Sequence, residues 1–398
     1  MKKDSRHSIF TRAVHAGEEK FKYADSITVP IVQTSSFVFR DMEDVRAYTS
    51  KEKYRYEYGR YGNPTQKAAE NKLMALEGAE DCLLFDSGMS AIITTLLAFL
   101  GQGDHMVITD DAYKATLMFV IHELPRYGIE YIVVPFGDYG AMEKAIKPNT
   151  RLIFSESPTN PYLNVADLIR MKEIKERSGV TTIIDSTFAT PFNQRPLEWG
   201  TDLVIHSATK YLAGHNDILA GALLGNPTLV NKVRDYQKAS GGIIDPHCCY
   251  LLLRGLKTFA LRVDHQNRSG QLIAERLEGN PMIKRVYYPG LPSHRHHEIA
   301  KAQMTGFGGV ISMKIKSDMA GVGRFLDALD FCRIAPSLGG VETLITHPAS
   351  VSYYNVPKDE RESLGITDDL VRLAVGIEDP LDILADIEQA LEKIDKQA

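Results

Sequence analysis

The chain has 398 residues, 44% of them apolar and 24% charged, a length that accommodates two domains and a composition ordinary for a soluble globular protein. A formal charge of −5, with Lys and Arg scattered among acids, argues against a nucleic-acid partner, and no run approaches the roughly eighteen apolar residues of a membrane span. The basic start, Met1 to His7, has no apolar core behind it, so no membrane association and a cytoplasmic location are expected.

Residues 1–62 carry turn signals, scattered aromatics and little periodicity, and read as an arm that must lie on another surface. Within it, Tyr54-Arg55-Tyr56-Glu57-Tyr58-Gly59-Arg60-Tyr61 has the density of aromatics and charge of a half-buried strand. From 63 to 255, strand-like runs at 82–85, 106–109, 130–135, 151–155, 181–185, 202–206 and 219–224 alternate with helical ones, the mark of βαβ units in an α/β domain with a mostly parallel sheet. The pattern then changes. A smaller C-terminal α/β domain is expected over 256–398, with a long charged helix to about 278, strands at 310–313 and 370–375, and helices at 318–329 and 380–395. Cys82, Cys248, Cys249 and Cys332 have no metal or redox spacing and read as core fillers. His294-Arg295-His296-His297 follows Pro289-Gly290-Leu291-Pro292 and reads as an exposed turn, so no metal site is expected.

Candidate chemistry lies at the ends of predicted strands. Lys210, in Ser207-Ala208-Thr209-Lys210, follows the apolar run Leu203-Val204-Ile205, at the carboxyl edge where open α/β sheets bind ligands. A lysine there can hold an aldehyde cofactor as a Schiff base while Ser207 and Thr209 bond its phosphate; taken alone, such a lysine is more often a solvated loop residue. Asp185 ends Thr181-Thr182-Ile183-Ile184 and can pair with a protonated pyridine nitrogen. Ser87, Gly88 and Met89 sit between a strand and a helix, where free N–H groups and the helix dipole can cradle a phosphate. Tyr113 follows another strand, as a stacking ring or a core residue. Asn160, between prolines, is a donor to a phenolate oxygen or a simple turn residue. Arg372 interrupts Leu370-Val371-Arg372-Leu373-Ala374-Val375, and its charge must be paired if buried.

In this order and spacing the motifs resemble the Cys/Met-metabolism enzymes that use pyridoxal phosphate (PLP), among them cystathionine γ-synthase, cystathionine γ-lyase, methionine γ-lyase and the homoserine sulfhydrylases. The resemblance runs from about Ala16 to the C-terminus. It also rests on Tyr58-Gly59-Arg60-Tyr61-Gly62-Asn63-Pro64-Thr65, Glu156-Ser157-Pro158-Thr159-Asn160-Pro161 and Asp185-Ser186-Thr187-Phe188-Ala189-Thr190-Pro191. It implies fold type I of the PLP-dependent transferases, with a seven-stranded sheet, and a homotetramer built as a dimer of dimers. Tyr58 and Arg60 would grip the phosphate held by the neighbouring subunit. Lys210 would be the Schiff-base lysine and proton shuttle, Tyr113 would stack on the ring, and Arg372, with Ser337 and Asn160, would receive the α-carboxylate of an amino-acid substrate.

Two fates then separate synthases from lyases: after a γ-substituent is expelled, a thiol adds in its place, or the remainder collapses to a 2-oxo acid and ammonia. Ile334-Ala335-Pro336-Ser337 and Gly214-His215-Asn216-Asp217 match the plant-like synthase branch of the family. Glu57 precedes Tyr58 and suits the amino group of an incoming thiol or a cationic substrate tail. Lys114 stands alone after Tyr113, where the family's synthases carry more bases, which weakens the case for a phosphorylated homoserine. The expectation is γ-replacement by cysteine on an O-activated homoserine, with succinyl or acetyl ahead of phosphoryl. A γ-lyase for cystathionine, methionine or canavanine is the alternative, and an inactive PLP-binding chain a third.

Overall fold

Seven short strands build the first sheet of the computed structural model, which describes residues 7–394; Met1 to Arg6, most of the basic start, lie outside it. They are β1 (Asp81–Phe85), β2 (His105–Thr109), β3 (Glu130–Val134), β4 (Thr150–Glu156), β5 (Thr181–Asp185), β6 (Leu203–Ser207) and β7 (Gly221–Gly225). Their order is β1-β7-β6-β5-β4-β2-β3, and neighbours are parallel except that β7 runs against both β1 and β6. The expected seven-stranded, mostly parallel sheet is therefore present. Helix Gly88–Phe99 packs on one face with Leu83, Phe85 and Ile205, and helices Pro64–Glu77 and Pro246–Lys257 cover the other with Leu84 and Ala222. Burial on both faces is why these strands, apart from the partly exposed edge strand β3, read as unbroken apolar runs instead of alternating ones.

The parallel arrangement gathers the carboxyl ends of β2, β4, β5 and β6 on one edge. A second sheet, ordered β10-β11-β12-β9-β8, comprises β8 (Ile283–Tyr287), β9 (Val310–Ile315), β10 (Arg333–Ile334), β11 (Leu344–Thr346) and β12 (Leu370–Ala374). The chain turns at Thr258 between helices Pro246–Lys257 and Phe259–Glu278. That last helix ties the two bodies together: Phe259, Ala260 and Val263 belong to the core under the large sheet, while Ile273, Ala274 and Leu277 belong to the core of the small one.

The arm holds two short helices, Ile9–His15 and Met42–Thr49. Lys72, fully buried on Pro64–Glu77, donates to the carbonyls of Ala13 at 3.1 Å and Val14 at 2.9 Å and pairs with Glu18 at 3.0 Å. Those bonds satisfy carbonyls at the first helix's C-terminus that no intrahelical N–H can reach. The run at 54–61 is not a strand; it makes one isolated bridge, Ser36 to Tyr58, and a 3-10 turn, Gly59–Tyr61.

The run at 294–297 is not an exposed turn either. His294 is buried with Nε2 3.2 Å from the Tyr162 carbonyl, Arg295 Nε donates to Asn164 Oδ1 at 2.9 Å, and the Val165 N–H donates to His296 Nδ1 at 3.2 Å. The proline and glycine residues before it do form a turn, but the turn docks against the loop after β4, so the His294 and His296 imidazoles bond that loop. Among the described residues no three His, Cys, Asp or Glu side chains are grouped to hold a metal, no helix is long and apolar enough to cross a membrane, and the four cysteines are unpaired.

Candidate active site

Lys210 stands in the turn after β6, and its surroundings fix that turn from below. Arg262 donates to the Tyr211 carbonyl and to the Gly255 carbonyl, both at 2.9 Å. Gly214 has φ +74°, and a Cβ there would lie 1.9 Å from the Arg262 guanidinium, so only glycine lets that cation approach. The Lys210 amine reaches Ser337 Oγ at 3.0 Å. Burial, aided by the Arg372 charge, lowers Lys210 to about 8.

Asp185 ends β5 and is buried. Its Oδ1 accepts from the Thr187 N–H at 3.0 Å and the Thr187 hydroxyl at 2.5 Å, while the Ser207 N–H donates to that same hydroxyl oxygen at 2.8 Å. Burial raises the carboxyl's pKa and the two Thr187 bonds oppose the rise. Thr187 is therefore a clamp between β5 and β6.

Ser87 caps helix Gly88–Phe99 by accepting from the Ser90 N–H at 3.1 Å. The first-turn N–H groups, at Gly88 and Met89, have no intrahelical acceptor. A Cβ on Gly88 would come within 2.9 Å of Ser207 Cβ, so the helix start and the end of β6 meet at one point of the edge. Thr209 bonds Ala220 through its hydroxyl, donating to the carbonyl at 3.2 Å and accepting from the N–H at 2.9 Å. Tyr113 leads into helix Lys114–His122, is 44% exposed as a residue, and its N–H donates to Glu156 Oε2 at 2.8 Å.

From the second sheet, β12 delivers Arg372. Its Nη1 donates to Asn160 Oδ1 at 2.9 Å, and Nη2 lies 3.2 Å from both the Pro336 and Ser337 carbonyls. Every one of these acceptors is neutral. The guanidinium is buried, lowered to about 10 by that burial, and its Nε has no partner. A buried cation held only by dipoles is an incomplete arrangement, and an anion completes it.

Lys210 thus meets Ser337, Arg372 meets Asn160 and the Ser337 carbonyl, Asp185 is linked to Ser207 through Thr187, Gly88 lies against Ser207, and Tyr113 is tied to Glu156 at the end of β4. Tyr58, Arg60 and Glu57 lie elsewhere in this chain. Arg60 sits 5.4 Å from the ring centres of Tyr58 and Tyr61, and Glu57 Oε2 accepts from the Tyr48 hydroxyl at 2.8 Å. Glu57 and Arg60 line a cavity of about 570 Å³ with Lys67 and Arg234, to which Lys210 and Asp185 contribute nothing.

A Cys/Met metabolism PLP-dependent enzyme model matches residues 10–392. The chain belongs to that family. It is 45% identical to cystathionine γ-synthase 1, chloroplastic, of Arabidopsis thaliana, over 98% of this chain and 71% of that one. It is 42% identical to the L-methionine γ-lyase of Fusobacterium nucleatum subsp. polymorphum, over 98% and 99%. The crystal structure of metB from Corynebacterium glutamicum superposes with a TM-score of 0.91 at 37% identity, covering 98% of this chain and 99% of that one. The fold is fold type I.

The cleft fits the family's cofactor. A lysine with a lowered pKa suits an aldehyde, a buried aspartate with no cation bonded to it suits a pyridinium, and a helix N-terminus pressed against Ser207 suits a phosphate. Thr187 and Glu156 escaped the reading by residue type. Glu156 nevertheless ends Leu152-Ile153-Phe154-Ser155, the same apolar run closed by a carboxylate that singled out Asp185.

Proposed function

We propose that this enzyme carries out γ-replacement on an O-activated homoserine with cysteine as the incoming thiol, giving cystathionine. The observation that carries the amino-acid part of this reading is Arg372, whose buried fork bonds only neutral oxygens and lies beside the Ser337 that bonds Lys210. A planar double donor suits a carboxylate. PLP, when bound, supplies the electron sink that lets protons leave the α- and β-carbons.

The chain's own residues do the rest. Arg372 with Asn160 and Ser337 orients the substrate carboxylate, which brings the α-hydrogen towards Lys210. With its pKa near 8, Lys210 takes a proton as free amine and returns one as ammonium near neutral pH. Ser337 keeps the amine on the small-domain side while it works, and Asp185, braced by Thr187, balances positive charge on the ring nitrogen. Tyr113 covers the ring.

Replacement over elimination is supported by Ile334-Ala335-Pro336-Ser337, which matches the plant-like synthase branch, and by the 45% identity to a plant synthase. For the electrophile we favour an acetyl or succinyl ester. Lys114 is the lone cation in the segment after Tyr113, and its amine is engaged with the Ser352 carbonyl at 2.6 Å and sits 4.4 Å from the Tyr353 ring centre, so a phosphate would meet one cation there and would have to compete with those contacts for it. The same observation favours the second reading, a γ-lyase, as does the 42% identity to a methionine γ-lyase.

The working unit in this reading is a homotetramer of two dimers. Its support is that Tyr58, Arg60 and Glu57 lie off the cleft of their own chain, on an arm that leaves Phe21, Tyr23, Ile27 and Val38 exposed. In the partner's cleft, Tyr58 and Arg60 would hold the phosphate and Glu57 the amino group of cysteine. Unpaired cysteines fit a reducing, cytoplasmic setting. Incubating the holoenzyme with homoserine esters, with and without cysteine, and analysing products tests the reading.

A further inference from the structure

Glu156 and Asp185 close adjacent parallel strands and are register partners, so their side chains leave the same face of the sheet about 5 Å apart at the backbone. Both are buried. Asp185 is equipped as an anion, with an N–H and an O–H from Thr187. Glu156 has one donor, the Tyr113 N–H at 2.8 Å, and no ion-pair partner among the described residues. Two carboxylates this close and this dry do not both ionise, and the better solvated one keeps the charge.

Tyr113 has its own need of Glu156. It caps helix Lys114–His122 without any side-chain cap bond, and the residue is partly exposed, so the main-chain bond to Glu156 is what fixes the ring's starting point. We propose that Glu156 is a positioning residue of this active site, a neutral acid that ties the Tyr113 main chain to the end of β4 and leaves the charge next to it on Asp185.

The groups that face Glu156 agree with that role. Burial opposes its ionised form most, Asp185 on β5 and Asp111 after β2 repel it further, and the Tyr113 N–H and Arg372 on β12 offset them only in part, so its pKa stands well above the ordinary carboxylate range. Tyr353, another titratable neighbour, is a phenol whose own pKa is raised chiefly by burial.

The inference rests on the cofactor and not on the choice between replacement and elimination, so the readout is the holoenzyme's visible cofactor band, in circular dichroism and in a pH titration, before any substrate is added. Glu156→Gln stays neutral and keeps an oxygen for the Tyr113 N–H. It should keep the dichroic band, move the titration midpoint by less than about 0.3 units, and lose no more than about threefold in kcat. Glu156→Leu removes the tether and should lose most of the dichroism and about 10- to 100-fold in kcat, with less than about threefold change in KM for the amino acid. Overturning results are a Gln variant as impaired as Leu, a midpoint displaced by about a unit in Glu156→Gln, or a Leu variant matching the wild type. If Glu156→Leu does not fold, the Gln midpoint alone decides.

Discussion

The Lys210 amine and the Ser337 hydroxyl, 127 positions apart, meet at 3.0 Å across the joint between the two sheets. The group that would move protons is thus held by the loop whose carbonyls also hold Arg372. Lys210→Ala should lower turnover by at least about 10³-fold, because both proton transfers lose their base. Borohydride reduction of the wild-type holoenzyme followed by peptide mass spectrometry should find the cofactor on Lys210 and on no other lysine.

The lowered pKa of Lys210 gives a pH dependence that can be read in the apoenzyme. Only the free amine captures an aldehyde, so capture of added PLP should speed up with pH and level off above about 8, well short of the ordinary lysine value of 10.5. The stability linkage has the same sign. Between those two values the unfolded chain binds the Lys210 proton more tightly than the native one, so this group's contribution to apoenzyme stability improves as pH rises through that window and is lost as pH falls through about 8. Arg372→Leu, which removes the nearby positive charge, should shift the capture midpoint upward.

Arg372→Lys should raise KM for the amino-acid substrate by about 10²-fold while the visible cofactor band persists, because a point charge cannot replace a fork that meets two oxygens at once. Steady-state kinetics together with an absorption spectrum checks both halves. Equal loss of the cofactor band would mean that Arg372 supports the fold of the cleft instead of the substrate.

The arm yields a mixing experiment. If Tyr58 and Arg60 complete a neighbour's site, Lys210→Ala and Arg60→Ala chains, each nearly inactive alone, should recover about a quarter of wild-type activity when refolded together, since half of the dimers then carry one intact site. A fully active species of 44.4 kDa in light scattering would contradict the shared site.

The residue pattern reveals the large sheet because strands covered on both faces must be continuous apolar runs, and it reveals Lys210 and Asp185 because each follows such a run. It does not reveal direction: the Gly221–Gly225 strand is a short apolar run like the parallel strands of its sheet, yet it runs against both of its neighbours. Strands as short as Arg333–Ile334 carry no periodicity at all. The meeting of Lys210 with Ser337, and of Arg372 with Asn160, depends on how one sheet sits on the other, which no local pattern encodes. His294 was misread for the same reason. Its proline and glycine neighbours report a bend, while the burial comes from the loop holding Tyr162 and Asn164. The helix Ile9–His15 is too short to stand alone and exists on the bonds it receives from Lys72.

The central claim is that the γ-position exchanges its substituent for a thiol, and the partition of one homoserine ester between two products tests it most directly. With O-acetyl- or O-succinylhomoserine and saturating cysteine, the holoenzyme should form mainly cystathionine, and Glu57→Ala should raise KM for cysteine while sparing the cysteine-independent release of 2-oxobutyrate. If 2-oxobutyrate remains the main product from every homoserine ester under saturating cysteine, replacement is contradicted and the chain is a lyase.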